Sequence, residues 1–310
     1  MTALEAVATY VPDGREPIED LAGKFGLTPM QVKLFQRYHG LADVPREPEG
    51  TLLDLLLAAA RRLAPLAGRE SSVRYVLHAR SMPVVAPFPV NALHELCRLL
   101  GLGHALAFTV THHACATGPL AIDIAGRLLA ADGDPAALAL VLAGEKAFTA
   151  DAQVLPETSV FGEAAAACLV GSNGQRDRLL AYSSTVRGGY DGRLDRSPEL
   201  MSRFQQEFPG ALAEVILAVT AKAGLRLNDI SLLLPHNVNV AIWRLLCRLI
   251  GFPADRVLLD NVPVTAHAFC ADLFLNYQTA TERGLLREGD RYLVAAAGAG
   301  ATFSAMIFEH

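Results

Sequence analysis

Cys115 stands in "VTHHACATG", residues 110 to 118, between a strand-like stretch and a helix-like one. A cysteine at the start of a helix meets free backbone N–H groups and the positive end of the helix dipole, which favour a thiolate. The thiolate is the competent nucleophile, and this placement suits acyl transfer. Two histidines that follow predicted strands are candidates to serve it. His236 opens "HNVN" (236–239) after a predicted strand, and His267 lies in "VTAHAFCA" (264–271), three residues before Cys270. A cysteine with two histidine donors can form a thioester and polarise the carbonyl of a second one. His112 and His113 offer a metal reading instead. Strand alternation aims them to opposite sides, however, and no acidic or cysteine cluster accompanies them, so packing is their reading and no metal is expected. Cys97 and Cys247 fall mid-helix on apolar faces and Cys168 falls within "AAAACLVG", so these three read as core thiols. Cys270 begins a helix, as Cys115 does.

The elements that must position these groups come in two similar sets. "LCRLLGL" at 96–102 returns as "LCRLIGF" at 246–252, an offset of 150. "VTHHACA" (110–116) is echoed by "VTAHAFCA", offset about 154, and "LVLAGE" (140–145) by "LVAAAG" (293–298), offset 153. Three collinear matches at nearly one spacing point to an internal duplication. The first half predicts helices over 51–64, 91–101 and 116–132, and strands over 73–79, 105–111 and 138–144. The second predicts helices over 210–225, 240–251 and 270–286, and strands over 230–236, 256–262, 292–300 and 302–309. Alternating strands and helices give an α/β fold with sheets packed between helices. The expected organisation is an N-terminal half over 1–173 with the nucleophile, a polar, loop-rich connection over 174–209 that helps cover a site, and a C-terminal half over 210–310 with the histidines. A pseudo-twofold axis between the halves would bring His236 and His267 to the Cys115 junction.

Composition narrows the function classes. The chain has 310 residues, 52% hydrophobic and 19% charged, enough to bury a large core. A net charge of −5 disfavours nucleic-acid binding, and scattered basic residues disfavour a membrane-surface role. No unbroken apolar run approaches the ~18 residues that span a bilayer, despite a mean hydropathy of +0.28. No signal peptide is read at the N-terminus, and five dispersed cysteines without CxxC spacing fit reduced thiols in a cytoplasm.

The chain resembles the thiolase-fold ketosynthases, nearest the β-ketoacyl-acyl-carrier-protein synthase III group, over nearly its whole length. "ACATGPLAI" resembles the nucleophile segment of that family, and "FGEAAAACLVG" (161–171) its "FGDGAGA" stretch. "HNVN" resembles the "HQAN" motif, and "GAGATFSAMIFE" (298–309) the C-terminal Gly-rich turn and last strand. The resemblance implies a thiolase-like fold of two pseudo-symmetric halves in α-β-α-β-α layers. It implies that Cys115 takes an acyl group from a coenzyme A or carrier-protein thioester, without a cofactor. His236 matches the motif histidine and Asn239 its asparagine, a substrate-binding position. The N–H groups of Cys115 and Gly300 match the oxyanion hole. A homodimer paired through a core strand is also implied.

This chain departs from the family pattern at several positions. The type III group has Asn in a "GNTSAAS" segment; His267 falls there, with Asn261 the competing position, and a Cys–His–His set resembles the elongating ketosynthases. Leu34 and Tyr38 fall where an aromatic and Arg clamp on coenzyme A is expected, with Arg37 adjacent. Ala241 replaces the basic residue that follows the "HQAN" motif, and Arg244 and Arg248 lie one and two turns on. Three functions are weighed, and the first is favoured because two histidine donors suit decarboxylation. The first is a ketosynthase III-like enzyme condensing acyl-Cys115 with a malonyl-type thioester, in fatty-acid-like or polyketide biosynthesis. The second is an acyltransferase to an alcohol or amine, and the third a non-catalytic partner subunit.

Overall fold

The all-apolar runs "LALVLAG" and "AAACLVG" form two fully buried neighbouring strands, Leu138–Gly144 and Ala165–Gly171, paired antiparallel in the middle of one half. The computed structural model describes residues 1–87, 89–155, 158–190 and 197–310. Nine strands join in one sheet: β1 (Ala3–Tyr10), β2 (Val73–Ala79), β3 (Leu106–Val110), β4 (Leu138–Gly144), β5 (Ala165–Gly171), β6 (Arg178–Val186), β7 (Leu232–Pro235), β8 (Arg291–Gly298) and β9 (Thr302–Glu309). Their order is β7-β8-β9-β6-β1-β5-β4-β2-β3. The two halves meet at β1 and β6, which share the single register pair Ala3–Arg178.

Alternation along the strands builds the layers. Leu138, Leu140 and Leu142 of β4 face an outer core with α1 (Leu52–Arg62) and α2 (Ala92–Leu99). Ala139, Val141 and Ala143 face the central core, with α3 (Thr117–Asp132) and α6 (Asp272–Glu282). In the other half Leu293 and Ala295 of β8 face α4 (Pro198–Lys222) and α5 (Val240–Ile250), while Tyr292 and Val294 face the same central helices. The result is the expected α-β-α-β-α stack. Both sheet faces are covered, which is why the strands carry so few charges. Each fully buried Leu contributes about 2 kcal/mol through removal from water. By length and composition one helix among the described residues, Ala114–Asp132, could cross a membrane, but more than half of it is buried in the central layer.

The duplication reaches the backbone around Cys115. The turn Ala114–Ala116 leads into α3 exactly as many residues after Cys115 as the turn Phe269–Ala271 leads into α6 after Cys270. Ala114 and Phe269, equivalent in the repeat, both have positive φ, 43° and 54°.

Two expectations are corrected. The segment 174–209 is not mainly loop: it contains β6 and the first half of α4, while 191–196 lie outside the described residues. The Ser197 side chain caps α4 at the Leu200 N–H, a proline follows at the first turn, and the helix continues through Pro209. The run 256–262 is not a strand; it meets β7 only in the isolated bridge Leu233–Val257 and then enters a short helix, Val262–Thr265.

Candidate active site

The sequence places Cys115 at the turn before α3, His236 just after β7 and His267 after the short helix Val262–Thr265. The fold brings all three to one cavity of about 410 Å³. Its wall is mostly apolar, with Leu34, Leu155, Phe161, Ile242 and Leu245, and α4 contributes Phe204 and Phe208. The polar segment before 210 therefore does help cover the cavity, but from a helix. Cys115 and both histidines are buried.

Local packing fixes each ring. His267 donates its backbone N–H to Val160 and accepts at its carbonyl from Gly162 N–H, at 3.1 and 3.0 Å. Gly162 is needed there, because a Cβ would lie 2.1 Å from the Thr265 carbonyl oxygen. Phe161 packs on the His267 imidazole at 4.9 Å between ring centroids. The His236 carbonyl accepts from Trp243 Nε1–H at 2.8 Å, and the two rings meet edge to face. The His236 and His267 rings are 5.7 Å apart.

Asp272, which the sequence reading did not single out, completes the set. His267 Nδ1 is 2.5 Å from Asp272 Oδ2. That carboxylate also accepts from the backbone N–H of Asn237 at 2.6 Å and of Ala268 at 2.8 Å. Burial alone would depress the His267 pKa, but Cys115 and Asp272 beside it outweigh burial and raise it to about 10. Burial, reinforced by neighbouring His267, pushes His236 well down, so it is the neutral partner. A cysteine, a histidine and a carboxylate in series form the arrangement that moves protons during acyl transfer. The signal for Asp272 in the sequence is faint: an acid five residues after a candidate histidine, at the start of an otherwise apolar helix face.

The other expected site residues divide. Asn239 lines the cavity but caps α5, accepting from Ile242 N–H at 2.8 Å, and donates to the Thr158 carbonyl at 2.9 Å. Ala241 also lines the cavity. Arg37, Arg244 and Arg248 are exposed and lie outside the lining. Gly300 belongs to the turn between β8 and β9, whose Gly298 and Ala299 line the cavity. Asn261 is turned away from it, bonded to Asn276 and Thr279, so His267 is the residue that faces Cys115. His112 is exposed and His113 half-buried, and among the described residues no group of three or more His, Cys, Asp or Glu could hold a metal ion.

Residues 220–310 match the family described as 3-oxoacyl-[acyl-carrier-protein (ACP)] synthase III C terminal. The β-ketoacyl-[acyl-carrier-protein] synthase III of Rhizorhabdus wittichii is 28% identical over 276 residues, 84% of each chain. The chain closely resembles the β-ketoacyl-acyl-carrier-protein synthases III among the thiolase-fold condensing enzymes. Solved structures agree on the fold. The acyltransferase ChlB3 superposes with a TM-score of 0.84 at 20% identity, covering 99% of this chain and 97% of that one. Xanthomonas campestris OleA with bound lauric acid and lauroyl-CoA gives 0.82 at 16% identity, covering 100% and 99%. The chain thus has the fold, and a buried unpaired cysteine, of a family built on acyl-thioester chemistry.

Proposed function

We propose that this protein is an acyltransferase that loads an acyl group from a coenzyme A or carrier-protein thioester onto Cys115 and passes it to the hydroxyl or amine of a small molecule. The observation that carries this reading is the series Cys115, His267, Asp272 at one apolar cavity that also presents His236. In loading, the Cys115 sulfur attacks the thioester carbonyl, and the N–H groups of Cys115 and Gly300 receive the oxyanion. The donor thiolate leaves with the proton held by His267. Acyl-Cys115 then faces a neutral His267 whose Nδ1–H is directed to Asp272, which leaves the Nε2 lone pair toward the cavity. That lone pair takes the proton of an attacking O–H or N–H as the Cys115 thioester bond breaks, and Cys115 departs as thiolate. Neutral His236 supplies an N–H to the thioester carbonyl.

The proximity of the two imidazoles supports a second reading. With His267 held protonated, both rings donate to a malonyl-type thioester. Loss of carbon dioxide then leaves an enolate that attacks acyl-Cys115, a decarboxylative Claisen condensation of fatty-acid-like or polyketide biosynthesis. The relatives named as synthases III favour it. In both readings the protein works as a homodimer. Of the two sheet edges, β7 is buried throughout, whereas β3 is open and exposes Leu106.

Intact-protein mass spectrometry against a panel of acyl-coenzyme A and acyl-carrier-protein donors tests loading. A mass gain on the wild type that Cys115→Ala abolishes is expected. Asp272→Asn is expected to slow release to an alcohol or amine acceptor by about 10² or more. Carbon dioxide release from a malonyl thioester by the loaded enzyme would move the function to the second reading. No gain with any donor on folded protein would overturn both.

A further inference from the structure

We infer that Ser81 is a positioning residue for the nucleophile: its hydroxyl donates a hydrogen bond to the Cys115 sulfur and favours the thiolate. The inference rests on Cys115 being the acyl-carrying group. Ser81 Oγ lies 3.4 Å from Cys115 Sγ and 3.5 Å from Cys270 Sγ, so one hydroxyl sits between the two thiols that the duplication makes equivalent. It has a single hydrogen to give. Cys270 directs its own S–H to the Ala114 carbonyl at 3.3 Å and stays a thiol, with burial raising its pKa well above the ordinary value. With the Cys270 hydrogen committed to Ala114, the Ser81 hydrogen is left for Cys115.

The hydroxyl is seated by the backbone. Ser81 and Met82 donate their N–H groups to the two oxygens of the fully buried Glu145, at 2.6 and 2.7 Å, and Arg80 N–H reaches the Val110 carbonyl at the end of β3. The turn 80–82 is thus fixed both to the strand that leads to the nucleophile and to the carboxylate that ends β4. The titratable groups around Cys115 are His267 from the segment before α6, Cys270 from the turn into α6, Glu145 beyond β4 and His236 across the cavity. His267 is the cationic partner; Ser81 is a neutral donor to the same sulfur. When Cys115 carries an acyl group its sulfur is a poor acceptor, and the hydroxyl can turn to Cys270. When the acyl group leaves, the bond to the departing thiolate forms again. Ser81 thus assists the transfer step as well as the resting nucleophile.

The test is the pH profile of Cys115 alkylation by iodoacetamide, read peptide by peptide so that the other four cysteines are separated. Ser81→Ala is expected to slow alkylation about tenfold near pH 6 and to converge with the wild type at high pH, as loss of a hydrogen bond to a charged group requires. Ser81→Thr keeps a hydroxyl and is expected to restore the profile. Superimposable profiles for wild type and Ser81→Ala would overturn the inference, and so would a uniform slowing at every pH, which marks a structural role. Alkylation needs no acyl donor. Failure of wild-type acyl loading would therefore count against the proposed function and leave this test readable.

Discussion

Asp272 sets what His267 can do. An imidazole whose Nδ1 faces a carboxylate at 2.5 Å carries its proton there and offers Nε2 as a base, or holds both protons and donates. An asparagine at the His267 position could exchange hydrogen bonds but not take up a proton, so in the proposed reaction the His267–Asp272 pair widens the range of acceptors. Glu145 gives a prediction at the same scale. Burial raises its carboxyl from 4.5 to about 7, against the Met82 and Ser81 hydrogen bonds that pull it down. A carboxyl raised in the folded state binds its proton more tightly there than in the unfolded chain. Its contribution to stability is complete below about pH 4.5 and is lost as pH rises through about 7. Thermal melts at pH 5 and pH 8 should therefore show wild type losing up to about 3 kcal/mol more than Glu145→Gln over that interval. Equal losses would mean that Glu145 is ionised in the fold at both pH values.

Among the elements, the nucleophile turn and the glycine turn after β8 are built against each other. His112 and Ala114 sit at φ of 72° and 43°, conformations that cost non-glycine residues energy and hold only where the surroundings enforce them. Part of that enforcement comes from Gly298. A Cβ there would lie 2.0 Å from the His113 carbonyl oxygen and 2.9 Å from the Ala114 Cβ, so the two turns touch through bare backbone. Gly298→Ala must displace the turn that carries Cys115. It is expected to cost about 1–3 kcal/mol and to slow acyl loading at least tenfold. Gly103→Ala, at a position with open space around it, is the control and should change neither. The checks are thermal melts and the rate of acyl mass gain.

For the whole molecule, the two sheet edges differ in kind. β7 is covered, while β3 ends the sheet with Leu106 61% exposed. An open, apolar edge strand is a pairing template, and in the homodimer proposed above a second copy of the chain would satisfy it by continuing the sheet. Leu106→Glu should shift the protein from dimer to monomer in size-exclusion chromatography with light scattering; an unshifted mass would place the interface elsewhere.

The sequence by itself determined the alternation of strands and helices, the duplication and three residues, Cys115, His236 and His267, that the fold brings to one cavity. Strand and helix periods are local, and a nucleophile at a helix start and histidines after strands keep short-range signatures. β1 was not legible, because its burial does not alternate, and α4 was masked by its polar first half. The tertiary structure decided the rest. Ser81 lies 34 residues before Cys115, and no spacing rule relates them; they meet because β2 and β3 run side by side and Glu145 pins the turn that follows β2. Asp272 is close to His267 in sequence, yet its role depends on a chain reversal that aims its carboxylate at the imidazole and at Asn237 from another element. Hydrogen-bond partners across elements are fixed by the path of the chain in space, which leaves no period in the sequence.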